Sequence, residues 1–254
     1  MALKAKPLRV QHAYKQVSQE IEAQILSGAL KPGDQLPGEV EMASMFAVNR
    51  STVREGIRRL ESEGFVRRTS PRKMVVSIPR MAELSSRQTR ALSMLDVSFI
   101  ELWNVALATE PLAAELAATH ADAADLEALD NIHRALVAAE GEGRASAKLD
   151  TAFHSQIAAA SKNRVLQLAR EPIGILLYSG IDALIPKLPL AMSRQVVAHG
   201  HVIEAIVRRD PASARDWMRR HIDDFKRGYI LAGLPLDAPI TGVSEKLADL
   251  GHNL

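Results

Sequence analysis

Residues 49–64 read Asn-Arg-Ser-Thr-Val-Arg-Glu-Gly-Ile-Arg-Arg-Leu-Glu-Ser-Glu-Gly, and they predict an amphipathic helix with a basic first turn. Val53, Ile57 and Leu60 recur at helical spacing, so they are expected to face a small core. The polar residues of the first turn and a half are Arg50, Ser51, Thr52 and Arg54. That end of a recognition helix enters a major groove, where arginine binds guanine edges and hydroxyls suit phosphates or bases. Any solvated amphipathic helix with a charged outer face shows the same pattern. The segments on either side are therefore needed to tell a recognition helix from an ordinary surface helix.

The segments on either side predict a winged helix-turn-helix. Apolar periodicity indicates a helix over 14–26, followed by a Pro- and Gly-rich turn and a short helix over 39–46. After the recognition helix, residues 65–68 and 73–77 predict two strands joined by a Thr-Ser-Pro-Arg turn. Three helices and a hairpin are the elements of a winged DNA-binding domain.

Charge is distributed unevenly along the chain. Residues 1–80 hold 14 Lys/Arg and 8 Asp/Glu, a balance of +6, while the other 174 residues hold 18 and 22, a balance of −4. A basic module joined to a mildly acidic one indicates that only the first binds a polyanion.

Residues 14–79 resemble the N-terminal domain of the GntR superfamily of bacterial transcription regulators. The motifs that carry the resemblance are Leu30-Lys31-Pro32-Gly33-Asp34-Gln35-Leu36-Pro37, Val48-Asn49-Arg50-Ser51-Thr52-Val53-Arg54-Glu55 and Leu60-Glu61-Ser62-Glu63-Gly64-Phe65-Val66. The resemblance implies that Arg50, Ser51, Thr52 and Arg54 contact DNA and that the wing approaches the minor groove, with Arg72 and Lys73 reaching phosphates. The chain departs from the family at Val40, where an arginine is frequent, and at a wing tip without glycine.

Composition limits the remaining possibilities. The sequence has no cysteine, which excludes disulfides, thiolate metal sites and cysteine nucleophiles. No apolar run approaches the ~20 residues of a membrane span, and the N-terminus lacks a signal core. We therefore expect a soluble cytoplasmic protein without a membrane partner. Residues 81–95 are polar and predict a linker, 96–232 predict about six helices, and 233–254 predict a loose tail.

A carboxylate and three imidazoles form the candidate ligand site. Asp150 and His154 are four residues apart on one helix, and His199 and His221 fall on two others. This set suits zinc, nickel, manganese or iron, and bundle cores are usual places for such sites. A histidine on a helix is more often a surface group or a hydrogen-bonded core residue, so the spacing alone leaves both interpretations open. His201 is two residues from His199 and points differently.

Residues 96–232 resemble the FCD domain, the helical effector domain of the FadR-like branch of the same superfamily. The matching segments include Glu110-Pro111, Leu149-Asp150-Thr151-Ala152-Phe153-His154, His199-Gly200-His201 and Met218-Arg219-Arg220-His221. The resemblance implies that Asp150, His154, His199 and His221 bind a divalent metal and that the effector is a small carboxylate or sugar acid. Ala106 stands where many members have a carboxylate-binding arginine. The candidate replacements are Arg134, Arg164, Arg170 and Arg194.

Together these observations predict a mainly α protein with three parts: a winged helix-turn-helix over 1–80, a linker over 81–95 and an all-α effector domain over 96–232. We expect a homodimeric repressor that binds a short inverted repeat, with apolar residues such as Phe99, Leu102 and Val105 supplying the dimer face. One alternative is a DNA-binding dimer whose helical domain is only structural. Another is a metal-dependent hydrolase, which the absence of a His-Glu-x-x-His motif and of a phosphate-binding Gly-rich loop disfavours.

Overall fold

The computed structural model describes residues 12–71, 73–139, 144–188, 190–243 and 248. The chain divides into two compact units, residues 1–80 and 81–254. Among the described residues, none of the helices combines the length and the apolar composition that a membrane span requires.

The first unit is a winged helix-turn-helix, as the sequence predicts. Its elements in chain order are α1 (Ala13–Leu26), α2 (Glu39–Met45), α3 (Arg50–Glu63), β1 (Val66–Ser70) and β2 (Lys73–Val76). Val53, Ile57 and Leu60 are fully buried, so the apolar face of α3 packs inward as its spacing indicates. The basic turn of α3 is left on the surface.

Both ends of α3 are fixed by local chemistry. The side chain of Asn49 accepts a hydrogen bond from Thr52 N at 2.8 Å, which satisfies one of the unpaired donors of the first turn. Gly64 ends the helix with a φ of 83°, in the left-handed region that favours glycine. The two strands that follow pair antiparallel with Val66 opposite Val76, and an irregularity between Arg68 and Ser70 extends β1 beyond the predicted span.

The second unit is all-helical. Its described helices are α4 (Met81–Met94), α5 (Phe99–His120), α6 (Ala123–Ala138), α7 (Arg144–Ala160), α8 (Arg164–Leu184), α9 (Leu190–Val207) and α10 (Pro211–Leu231). Helix α5 is central and packs against α7, α8, α9 and α10. Phe99 and Leu102 lie in the core of their own domain, so the expectation that they form a dimer face is wrong; only Val105 of that set is largely exposed, at 44%.

Residues 81–94, which the sequence predicts as a linker, form a helix that packs on α8. The polar composition of this segment gave no sign of a packed helix, because its inward-facing positions carry small hydroxyl residues. Ser85, Ser86 and Thr89 are all buried, and Ser85 donates to the carbonyl oxygen of Met81 one turn earlier. A hydroxyl that bonds its own helix backbone, as that of Ser85 does, can be buried at little cost. The buried hydroxyls of Ser86 and Thr89 have no hydrogen-bond partner among the described residues.

The segment after α10 is attached to the domain, which corrects the predicted loose tail. Ile240 N donates to Val97 O at 2.9 Å, and Ile100 N donates to Leu236 O at 3.0 Å. Val243 is buried in the same core. The packed domain thus extends to at least Val243 rather than ending at 232, and the rest of the predicted tail lies outside the described residues, apart from Ala248.

Candidate metal centre and DNA-reading surface

Three helices bring Asp150, His154, His199 and His221 together inside the second unit. Asp150 and His154 lie one turn apart on α7, His199 lies on α9, and His221 lies on α10. One ligand atom from each residue lies within 4.8 Å of those of the other three, and all four residues are buried. The geometry therefore gathers the four residues that the sequence singled out.

The distances within this cluster suit a common ion. His221 Nε2 lies 3.0 Å from His154 Nε2 and 3.2 Å from His199 Nε2. Asp150 Oδ1 lies 3.3 Å from His199 Nε2. Ligand atoms bound at ~2.1 Å to one ion are ~3.0–3.4 Å from their neighbours, so these three separations are compatible with joint coordination.

Electrostatics in the cluster favour the neutral, metal-binding form of His199 and His221. Burial lowers the pKa of His221 to about 3 and that of His199 well below its usual value, and neighbouring histidines add to both effects. Both rings are therefore neutral at pH 7 and have lone pairs available. Burial also lowers the pKa of His154, but Glu110 and Asp150 outweigh burial and raise it. Burial raises the pKa of Asp150 to about 6, opposed by His154 and Arg170. Asp150 Oδ1 has no hydrogen-bond donor among the described residues.

A buried carboxylate contacts His154 at the ring nitrogen that faces away from the cluster and so orients the ring. Glu110 Oε2 lies 3.0 Å from His154 Nδ1, so a proton on Nδ1 leaves the Nε2 lone pair for the cluster. Glu110 also accepts a hydrogen bond from Arg170 Nε at 2.9 Å. Burial alone would raise the pKa of Glu110, but His154 and Arg170 lower it to about 2. Sequence analysis did not assign Glu110 this role; the available signal was a carboxylate inside an apolar helix.

Beside the cluster lies a narrow cavity of about 50 Å³, which we call the metal cavity. Asp150, His154 and His221 line it together with Arg170, Arg194 and apolar side chains of α8 and α9. Arg134 and Arg164 are not among its lining residues. Both are exposed, Arg134 beside Asp130 on α6 and Arg164 at the start of α8, so only two of the four candidate arginines reach the cavity.

The space that the Arg170 side chain occupies depends on a glycine. A Cβ atom at Gly174 would lie 2.5–2.7 Å from the guanidinium carbon and both terminal nitrogens of Arg170. Arg170 also donates from Nη1 to Ser155 Oγ at 2.6 Å. The arginine is therefore held at the cavity wall by Glu110, by Ser155 and by the space that Gly174 leaves.

On the first unit, basic side chains line a concave surface at the start of α3. Arg50, Arg54 and Arg58 come from α3 and Arg68 from β1, with Glu39 among them. Glu39 lies 3.1 Å from both Arg54 and Arg68, and these hydrogen bonds lower its pKa although partial burial acts in the opposite direction. Arg58 and Arg68 were not singled out from the sequence, although Arg58 follows Arg54 by one helical turn.

The other predicted DNA-contacting residues have different surroundings. The hydroxyls of Ser51 and Thr52 both donate to Asn49 Oδ1, at 2.6 and 2.8 Å, and so take part in the helix cap. Lys73 is exposed at the start of β2. Arg72 lies outside the described residues.

Comparison with known proteins agrees with this architecture. Residues 13–76 match the model of bacterial regulatory proteins of the gntR family, and residues 101–224 match the FCD domain. The Glc operon transcriptional activator of Escherichia coli is 27% identical, covering 83% of this chain and 86% of its own. The HTH-type transcriptional regulator LutR of Bacillus subtilis is 28% identical over 81% of this chain and 97% of its own.

Another relative is the Exu regulon transcriptional regulator of Escherichia coli, 28% identical over 84% of this chain and 83% of its own. Among solved structures, a Streptococcus agalactiae GntR protein aligns with a TM-score of 0.59 and 25% identity, covering 84% of this chain and 99% of its own. These relatives are regulators rather than enzymes. The chain therefore belongs to the GntR family of DNA-binding transcription regulators, in the FadR-like branch with a C-terminal FCD effector domain.

Proposed function

We propose that this regulator is a homodimeric repressor that leaves its operator when a small organic acid binds beside a divalent metal ion in the FCD domain. The observation that carries the proposal is the buried convergence of Asp150, His154, His199 and His221 beside a cavity that also holds two arginines. We infer that the operator is a short inverted repeat, because two equivalent heads read two equivalent half-sites. Such a protein works in the cytoplasm, where the DNA is.

The four residues fit a divalent transition metal such as zinc, nickel, manganese or iron. Three imidazoles and one carboxylate are a usual donor set for these ions, and the unpartnered Asp150 Oδ1 would gain a cation. When bound, the ion supplies a Lewis-acidic anchor for carboxylate oxygens. Arg170 and Arg194 supply positive charge in the lining of the same cavity.

Cavity size favours a small acid. A cavity of about 50 Å³ is well below the ~150 Å³ of the engineered cavity that binds benzene. A short carboxylate fits more readily than a sugar acid, for which the surrounding helices must move. Apolar side chains such as Leu177, Ile181 and Met192 also line the cavity and would contact the carbon chain.

The test is a calorimetric titration of short hydroxy acids and sugar acids into the full-length protein. Three samples are compared: metal-loaded protein, chelated protein and the His199→Ala/His221→Ala variant. We expect acid binding in the first sample alone, and the same acid should release the loaded protein from its promoter DNA. Equal affinity in all three samples would contradict the metal-anchored site.

The sign of regulation needs its own measurement, since one relative is named an activator. We expect that deleting the gene raises expression of a reporter driven by the regulated promoter, and that adding the acid does the same in the wild type. Lower expression after deletion would show activation instead, and would leave the metal site unaffected.

A further inference from the structure

A second and wider cleft, which we call the α9–α10 cleft, lies beside the metal cavity. Its volume is about 420 Å³. Side chains of α9 and α10 form its walls, among them Arg194, Trp217, Arg220 and Arg227. Arg194, Asp224 and His221 line both this cleft and the metal cavity. The two spaces therefore meet at these three residues.

An ion pair stands at this junction. Arg194 Nε lies 2.9 Å from Asp224 Oδ2, which joins α9 to α10 with both side chains partly exposed. His221 is the most exposed of the four candidate metal ligands, at 8% against 5% or less for the others. A path from the cleft to the cluster thus passes His221 and crosses the Arg194–Asp224 pair.

The charge of the cleft suits an anion. Three arginines, 194, 220 and 227, face two aspartates, 223 and 224, which leaves a net positive charge. A cleft lined by excess positive charge raises the local concentration of anions. The planar guanidinium of Arg194 can bind two carboxylate oxygens at once, so an incoming acid offers it the same type of contact as Asp224 does.

We propose that the α9–α10 cleft is the entrance through which the carboxylate effector reaches the metal. In this arrangement the Arg194–Asp224 pair is the gate, and an arriving acid opens it by replacing Asp224 on the Arg194 guanidinium. The proposal rests on the proposed function, because it requires a metal at the four-residue cluster.

The experiment uses full-length protein loaded with Co²⁺, and pyridine-2,6-dicarboxylate as an anionic chelator that must reach the metal to remove it. Loss of the cobalt absorption gives the rate. Asp224→Asn opens the gate and keeps Arg194, so we expect removal about two- to fivefold faster, the factor that a partly exposed ion pair provides. In the double variant Asp224→Asn/Arg194→Gln, the carboxylates of the chelator no longer have the Arg194 guanidinium to bind. The faster cobalt removal of Asp224→Asn should therefore disappear.

Glu115→Gln is a matched control. Glu115 pairs with Arg215 at 2.9 Å, with side-chain exposures of 33% and 49% against 34% and 43% for Asp224 and Arg194. It lies outside both cavities. We expect the removal rate and the equilibrium Co²⁺ affinity of Glu115→Gln to equal those of the wild type.

The outcomes separate the two proposals. If cobalt binds and Asp224→Asn leaves the removal rate unchanged, the entrance is elsewhere and this inference is overturned, while the metal-anchored function stands. If Asp224→Asn and Glu115→Gln accelerate cobalt removal equally, the loss of any negative charge on the domain explains the acceleration. The gate is then overturned as well. If wild-type protein binds no Co²⁺ through His199 and His221, the metal-centred function fails and the entrance fails with it.

Discussion

At the scale of single residues, we propose that DNA recognition uses arginines whose side chains are already held by ion pairs in the protein. Arg54 extends from the first turns of α3 and is paired with Glu39 at 3.1 Å. Glu39 in turn pairs with Arg68 of β1, so the recognition helix, α2 and the wing share one carboxylate. On binding DNA, Arg54 must exchange a half-exposed ion pair, which contributes only about 0–1 kcal/mol, for base or phosphate contacts.

Arg54→Ala should therefore weaken operator binding. If Arg54 reads a guanine, the loss of discrimination between operator and mutated operator is about 1–3 kcal/mol. Arg59→Ala is the control, because Arg59 lies on the same helix and is paired with Glu63. Mobility-shift titrations of both variants on the protein's own promoter measure the effect. Equal affinity of Arg54→Ala and wild-type protein would exclude Arg54 as a reading residue.

Glu110 should tune the metal through His154 without touching it. Glu110→Gln removes the charge that holds the Nδ1 proton of His154 and leaves Arg170 without its nearest carboxylate. Changes in such supporting groups typically cost 10- to 100-fold in metal affinity. Competition titration against a chromophoric chelator measures this, with Glu115→Gln on the exposed side of the same helix as control. Unchanged affinity would show that Glu110 serves only folding.

The residues of the metal cluster were predictable, whereas their supports were not. Asp150 and His154 are linked by helical spacing, and the family resemblance favours His199 and His221 over the other histidines. The contact between Glu110 and Arg170 joins residues 60 positions apart, and spacing carries no information on such a pair. The same limit explains why Arg134 and Arg164 were retained as candidates beside Arg170 and Arg194.

At the scale of elements, the composition of a segment predicted helices less well than its apolar periodicity did. Helices α3 and α8 follow from apolar repeats, because their buried faces carry large aliphatic side chains. The buried face of α5 is made mostly of alanines, with Phe99, Leu102 and Trp103 near its start. Helix α4 was missed because its inward face carries Ser85, Ser86 and Thr89. The segment 234–243 was missed because short backbone pairings, such as that of Ile240 with Val97, leave no periodic signal.

The position of Arg170 within α8 depends on Gly174, which gives a test at this scale. Gly174→Ala places a Cβ against the guanidinium and should push it from Glu110. We expect a stability loss of about 1–3 kcal/mol from overpacking and weaker binding of the acid. Gly180→Ala on the same helix is the control, since its Cβ would meet ordinary contacts of 3.4–3.5 Å. Thermal unfolding and calorimetry give both quantities; wild-type acid affinity in Gly174→Ala would contradict a role for Arg170.

At the scale of the whole molecule, the regulation that we propose requires a second copy of the chain. An inverted repeat is bound with two-fold symmetry, and the FCD domain must then offer a self-complementary surface. Phe99 and Leu102 are used within the domain core and cannot supply it. Helix α5 still exposes Val105 at 44% and Leu112 at 42%, which lie two turns apart on one face. We take this face as the candidate dimer contact.

Replacing both side chains tests that assignment. Val105→Asp/Leu112→Asp should place four like charges at a two-fold contact and convert the dimer to monomer at micromolar concentration, as sedimentation velocity would show. The control is Val137→Asp/Val207→Asp, which charges similarly exposed aliphatic residues on α6 and α9 and should leave the dimer intact. The monomer should keep its Co²⁺ affinity, because the four ligands come from one chain. It should lose most of its operator affinity, because a DNA-binding domain without a linked second copy no longer gains from the high effective concentration of that copy at the neighbouring half-site. A variant that remains dimeric would move the dimer contact to another face of the domain; a monomer that binds the operator as tightly as wild type would show that one head suffices.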